Sequence, residues 1–134
     1  MALVKIAHMF DNEIMMPSVT GQRNEARSGR DRDQLTVARL TGTAQRHAPR
    51  RAPTGEETAA AVAELREIAD GRGDLLAEAA GLLTGYYRGT AEEMRAGTAA
   101  RYCRAAGADA GLIPRWTAEG ERRAAVAHEV PYAS

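Results

Sequence analysis

Residues 74–87, DLLAEAAGLLTGYY, decide the fold. Wound at 3.6 residues per turn, they place Leu75, Ala79, Leu82 and Tyr86 on one stripe and Leu76, Ala80, Leu83 and Tyr87 on the next, so two adjacent faces want burial. Ala77, Gly81, Thr84 and Gly85 form a third face of small residues, against which a neighbouring backbone can come close. Asp74 and Glu78 are the only charges. A helix apolar nearly all round belongs at the middle of a bundle. At some ~20 Å it is well short of the roughly 20 residues needed to cross a bilayer.

The flanking segments supply the rest of such a bundle. Thr54 and Glu57 have the spacing of a capping box, and Val62, Leu65, Ile68 and Ala69 follow on one face with Glu57, Glu64 and Glu67 on the other. This predicts an amphipathic helix over 54–70, which Gly71 can end in left-handed geometry. Asp74 is the expected N-cap of the central helix, 74–88, and Gly89 its terminator. Thr90 and Glu93 repeat the capping-box spacing and open a third helix, 90–106, with Ala91, Met94, Thr98, Tyr102 and Ala105 as its inward face and Gly107 after its end. Pro114 suits the first turn of a fourth helix, 114–128, presenting Ile113, Trp116, Gly120, Ala124 and Ala127 to the core. Pro131 is expected to keep the last residues out of it. The predicted class is all-α, a small four-helix C-terminal bundle over residues 54–130.

Before it lies a largely irregular N-terminal arm, residues 1–53. Residues 2–10 fit a short strand, or a helix with Leu3, Ile6, Phe10 and Ile14 on one face, and Pro17 ends either. Residues 18–32 offer almost nothing to bury, so disorder is expected there. Leu35, Val37 and Leu40 support one or two helical turns, and 41–53 reads as a polar, basic linker. A chain of 134 residues is the size of one domain, and its formal charge of zero hides an asymmetry. Residues 1–53 hold 9 Lys and Arg against 5 Asp and Glu, while 54–134 hold 9 against 13. The opening ALVKIAHMF lacks a long apolar run and a small-residue cleavage site, so the expected location is the cytoplasm, which the single cysteine, Cys103, fits as a small buried hydrophobe.

Reactive constellations are not apparent in this chain. His8, His47 and His128 lie in three separate segments without a partner at metal-ligand spacing, and no phosphate-loop, nucleophile-elbow or HExxH pattern occurs, so no metal or cofactor is expected. Glu56, Glu57, Glu92 and Glu93 are paired acids, but acids on a first helical turn are what the helix dipole favours. Arg72, Gly73 and Asp74 are explained by turn and cap chemistry. Two sets of residues remain as interaction candidates. Trp116, the only tryptophan, and Tyr87 are aromatic anchors of the kind that concentrate binding energy at interfaces. Arg23, Arg27, Arg30, Arg46, Arg50 and Arg51 on the arm could neutralise nucleic-acid phosphates.

The segments ELREIADGRGDLLAEAAGLLTGYYRGT and CRAAGADAGLIPRWTAEGERRA resemble those of small alanine- and arginine-rich helical proteins of actinobacteria. The resemblance covers 64–90 and 103–124, implies a cytoplasmic bacterial protein, and transfers no functional residue. The expected function is that of a small non-enzymatic interaction or adaptor protein, binding a protein partner or itself through its helical module. The alternative is a DNA-associated accessory protein that works through the basic arm. No membrane partner is expected.

Overall fold

A computed structural model of the chain describes residues 21–133, with side-chain surroundings over residues 29–128. The two readings of residues 2–10 therefore fall outside the described residues. The chain divides into two units, Met1–Asp33 and Gln34–Ser134. Of the first, the described run 21–33 is helical throughout. The second is a helical bundle. In chain order the helices are α1 (Gly21–His47), α2 (Gly55–Ala69), α3 (Gly73–Tyr86), α4 (Glu93–Ala105), a short 3-10 turn at Ala110–Leu112, and α5 (Ile113–Ala133). No strand occurs among the described residues, and the all-α class read from the sequence holds.

The central position of α3 follows from its composition. Leu75, Leu76, Ala77, Glu78, Ala79, Ala80, Gly81, Leu83 and Gly85 are all buried, so little of its circumference meets water. Its small face meets α5 backbone to backbone. A Cβ placed on Gly81 would lie 2.5 Å from the Cβ of Trp116 and 2.8 Å from the carbonyl oxygen of Ile113, and one on Gly85 would lie 2.0 Å from that of Thr117. From the other side, a Cβ on Gly120 would come within 2.8 Å of the Leu82 oxygen. Three glycines thus line the crossing of α3 and α5, and side-chain volume there is replaced by backbone contact. The rest of the core is small, mostly alanine with Val37, Leu40, Leu65, Leu75, Leu76, Leu83, Tyr102, Cys103 and Ile113 as its larger members.

The helix ends follow the sequence in part. Around Thr54 the capping box forms: the Thr54 hydroxyl accepts from the Glu57 amide at 3.1 Å, and the Glu57 carboxylate accepts from the Thr54 amide at 2.9 Å. Gly71, Gly89 and Gly107 all carry the positive φ expected of residues that end helices. The second capping box does not form. Helix α4 begins at Glu93, and Thr90 instead sits in the preceding turn, where its hydroxyl accepts from the Glu92 amide and donates to the Tyr87 carbonyl. Asp74 is likewise not the N-cap of α3. It lies inside the first turn, where Arg72 grips both carboxylate oxygens at 3.0 and 3.1 Å and holds its pKa below the usual carboxylate value. Helix α5 runs through Pro131 to Ala133 rather than stopping near His128; in a last turn the proline forfeits a single backbone bond.

The largest departure is α1. Where one or two turns were expected around Leu35, Val37 and Leu40, the helix has 27 residues, and the bundle unit begins at Gln34 rather than Thr54. Val37, Leu40, Ala44 and Ala48 follow one another at spacings of three and four and are all buried, as is Thr43. Residues 41–47 of the stretch read as an irregular linker are therefore helical and packed on the core, while 48–53 is irregular as expected. On α4 the expected Thr98 and Tyr102 are buried, joined by Ala96, Ala99, Ala100 and Cys103, whereas Ala91 and Ala105 are exposed and Met94 is 73% exposed. On α5, Ile113 and Gly120 are buried, Trp116 and Ala124 half-buried, and Ala127 exposed.

Candidate functional site

Ionic and polar contacts fix the end of α1 on the bundle, beside a groove. Arg46 and His47 both reach Glu64 on α2, at 3.1 and 2.8 Å, and Arg51 holds Glu57 by two bonds of 2.9 and 2.7 Å. Arg50 lies 3.5 Å from Glu92. The Arg51 guanidinium, helped by the Thr54 amide, holds the Glu57 carboxyl down at about 2, and His47 lowers the pKa of Glu64. Arg95 on α4 donates to the carbonyls of Gln45 and Ala48 at 2.8 and 3.0 Å, so a guanidinium caps the C-terminal end of α1 where the helix dipole is negative. The charge asymmetry seen in the sequence is thus answered in part within the molecule.

The groove, of about 340 Å³, lies between α1, α3 and α5. Helix α1 lines it with Gln34, Val37, Ala38, Thr41 and Gln45, one face at spacings of three and four. From α3 and the residue after it come Glu78, Leu82, Leu83, Tyr86 and Tyr87, and from α5 comes Arg123. The walls are chiefly apolar and aromatic, with hydrogen-bonding groups of Gln34, Thr41 and Gln45 along one side. Tyr86 and Tyr87 meet edge to face with ring centroids 5.1 Å apart. Glu78 is only 4% exposed, the sole buried acid among the described residues. Arg123 donates to Glu119 at 2.7 Å, and Arg122 and Arg123 together hold the Glu119 carboxyl at about 2. Such a volume accommodates a small ligand or one or two large side chains of a partner.

Of the residues singled out in the sequence, Tyr87 lies in this groove. Trp116 does not line it. It borders a second, shallower depression with Arg115, Ala118, Glu119, Arg122 and Arg123, and the Arg115 guanidinium covers its ring at 5.2 Å from the centroid. Arg123 belongs to both surfaces, so the two adjoin. Beside Gly81 lie the Trp116 Cβ and the α5 backbone, and beside Gly85 the backbone of Thr117 and Glu121. Arg46, Arg50 and Arg51, read as phosphate contacts, are the ion-paired residues just described. Arg30 is exposed on α1; Arg23 and Arg27 lie on the same helix, with side chains outside the described range.

Of the residues that line the groove, the sequence reading singled out Tyr87 alone as a contact. Leu82 and Tyr86 were assigned to the core, but Leu82 is half-buried and Tyr86 is 37% exposed. Glu78 was noted as a charge and no more. The signal for it was present, since a carboxylate amid a helix buried all round must be accommodated by design. Cys103 is fully buried, and desolvation pushes its thiol up to about 12, which removes thiolate chemistry near neutral pH. Among the described residues no group of three His, Cys, Asp or Glu side chains is placed to hold a metal ion, and no helix is long and apolar enough to cross a membrane. No protein-family model, curated protein or solved structure matches the chain.

Proposed function

We propose that the protein is a small, non-enzymatic binding module that recognises a protein partner by taking one or two of its apolar side chains into the groove between α1, α3 and α5. The observation that carries this reading is the groove itself. In a bundle closed mainly by alanine, Leu82, Tyr86 and Tyr87 stay accessible together on one wall at the C-terminal end of α3. Aromatic side chains of this kind bind at low conformational cost because they have few rotatable bonds to fix. Alternation of apolar wall and amide or hydroxyl rim suits a peptide or helix surface better than a charged polymer.

The alternative, nucleic-acid contact through the arm, draws less support. Arg46, Arg50 and Arg51 already neutralise Glu64, Glu92 and Glu57, so phosphate binding would have to displace intramolecular carboxylates. The setting we infer is the cytoplasm.

Affinity capture from the native host, run in parallel with the wild type, Tyr87→Ala and Ala63→Arg, tests the proposal. Ala63 is exposed on α2, away from the groove. A partner retained by the wild type and by Ala63→Arg, with affinity for purified Tyr87→Ala lowered at least about tenfold, is the expected outcome. Equal affinity for all three proteins would overturn the reading, and capture of nucleic acid lost on raising salt would replace it with the alternative.

A further inference from the structure

The outer face of α4 has features that neither the core nor the groove uses. Thr90, Ala91, Glu93, Met94, Gly97 and Arg101 line one shallow surface depression along it. Met94 is 73% exposed, more than any other large apolar side chain among the described residues. Gly97 lies inside the helix, where glycine weakens the helix relative to alanine, and nothing in the bundle requires it. Its φ is not positive, and a Cβ added there would meet no atom within 4 Å. Gly29 and Gly42 on α1 and Gly55 on α2 share that property. What sets Gly97 apart is its neighbours: an exposed methionine one turn before it, an acid four residues before it and an arginine four residues after it.

We infer that this face is a self-complementary contact through which a second copy of the chain docks, α4 against α4 and antiparallel, crossing at Gly97. The spacing specifies the partner. Four residues are about 6 Å along a helix, so in an antiparallel pair centred on Gly97, Glu93 of each copy comes level with Arg101 of the other. A two-fold axis through the crossing makes both ion pairs at once, as an isologous interface requires. Gly97 lets the two backbones approach, and the flexible Met94 side chain covers the partner helix beside the crossing. Arg101 is free for this role: its guanidinium donates to the Thr98 hydroxyl at 3.2 Å and has no carboxylate within salt-bridge distance among the described residues. Glu93 uses Oε1 to accept from the Gly89 amide, which leaves its second oxygen to face the partner.

One helix of 13 residues buries little surface, so the association is weak. Sedimentation equilibrium of the full chain from 5 to ~500 µM reads it directly. The wild type is expected to pass from monomer to dimer across that range. Arg101→Glu and Glu93→Arg each place like charges opposite one another twice and should leave monomer throughout, while the double reversal Glu93→Arg/Arg101→Glu restores the dimer. Arg101→Glu is the decisive single variant, since Glu93 also serves the start of α4, and unchanged helical circular dichroism verifies that each variant is folded. Tyr87→Ala, which bears on the groove, should dimerise like the wild type. A wild type monomeric at every concentration, or a dimer indifferent to both single reversals, would overturn the inference without touching the groove.

Discussion

Gly85→Ala adds one methyl group where α3 and α5 cross, and the structure fixes the sign of its effect. The new Cβ would sit 2.0 Å from the Thr117 carbonyl oxygen and 2.9 Å from the Glu121 amide nitrogen, both backbone atoms that no rotamer change can move. Relieving the first contact requires α5 to retreat by more than 1 Å, given an ordinary carbon–oxygen separation of about 3.4 Å, and the retreat loosens the packing at Gly81 and Gly120 as well. Overpacking of this kind costs about 3 kcal/mol or more, from which about 1 kcal/mol is recovered because alanine favours the helix. The expected net loss is about 2 kcal/mol, a fall in melting temperature of roughly 7–9 °C for a domain of this size. Gly97→Ala is the internal control. With nothing within 4 Å of its Cβ, it keeps the propensity gain and stabilises the monomer by up to ~1 kcal/mol. Urea unfolding followed by circular dichroism at low micromolar concentration measures both. A Gly85→Ala protein as stable as the wild type would mean that α3 and α5 are not in backbone contact, and the bundle geometry described here would fall with it.

Other consequences are open to the same assay. Leu40→Ala removes a side chain with 0% exposure from the part of α1 expected to be irregular, and should cost about 2–5 kcal/mol; a change of a few tenths would detach α1 from the core. Thr54→Ala removes the cap of α2 and should cost about 1 kcal/mol. Glu57 and Glu119 are held at about 2 in the folded protein against an ordinary 4.5, so both bind protons more readily when unfolded. Their contribution is present above about 4.5 and is lost as pH falls from there toward 2, so the urea midpoint should drop through that window and drop less in Arg51→Gln. A midpoint flat down to the lower limit would remove these ion pairs from the account. Trp116, half-buried beneath Arg115, should emit between the extremes of core and solvent and be partly open to acrylamide; complete shielding would place it in the core.

What the sequence revealed, and what it hid, follows from how local each signal is. The central helix was legible because its burial is written in consecutive residues, and its small face correctly foretold close backbone approach. The Thr54–Glu57 cap was legible for the same reason: donor and acceptor lie three residues apart. Helix α1 was not. Its inward face rests on Ala44 and Ala48, which carry little weight in a periodicity reading, and on contacts from Glu64, Glu92 and Arg95 that are remote in sequence. The same blindness to alanine affected the reading of α4, where the conspicuous Met94 faces water and Ala96, Ala99 and Ala100 face inward. The groove needs α1 and α3 side by side, so half of its wall was invisible once α1 was read as a linker. Tyr87 was found as an aromatic beside the core, and its neighbour Tyr86 was lost to the core because tyrosine on an apolar stripe reads as buried.

The claim that the groove receives a protein partner is tested most directly by photo-crosslinking from inside it. A photoreactive amino acid replaces Ala38, on the α1 wall of the groove, or Ala63, on the exposed face of α2, and each protein is irradiated in cells of the native host. The account predicts a discrete adduct from position 38, joined to a defined segment of one partner rich in apolar side chains, and none of that species from position 63. The same adduct from both positions, or none from position 38 while one forms from position 63, would contradict it.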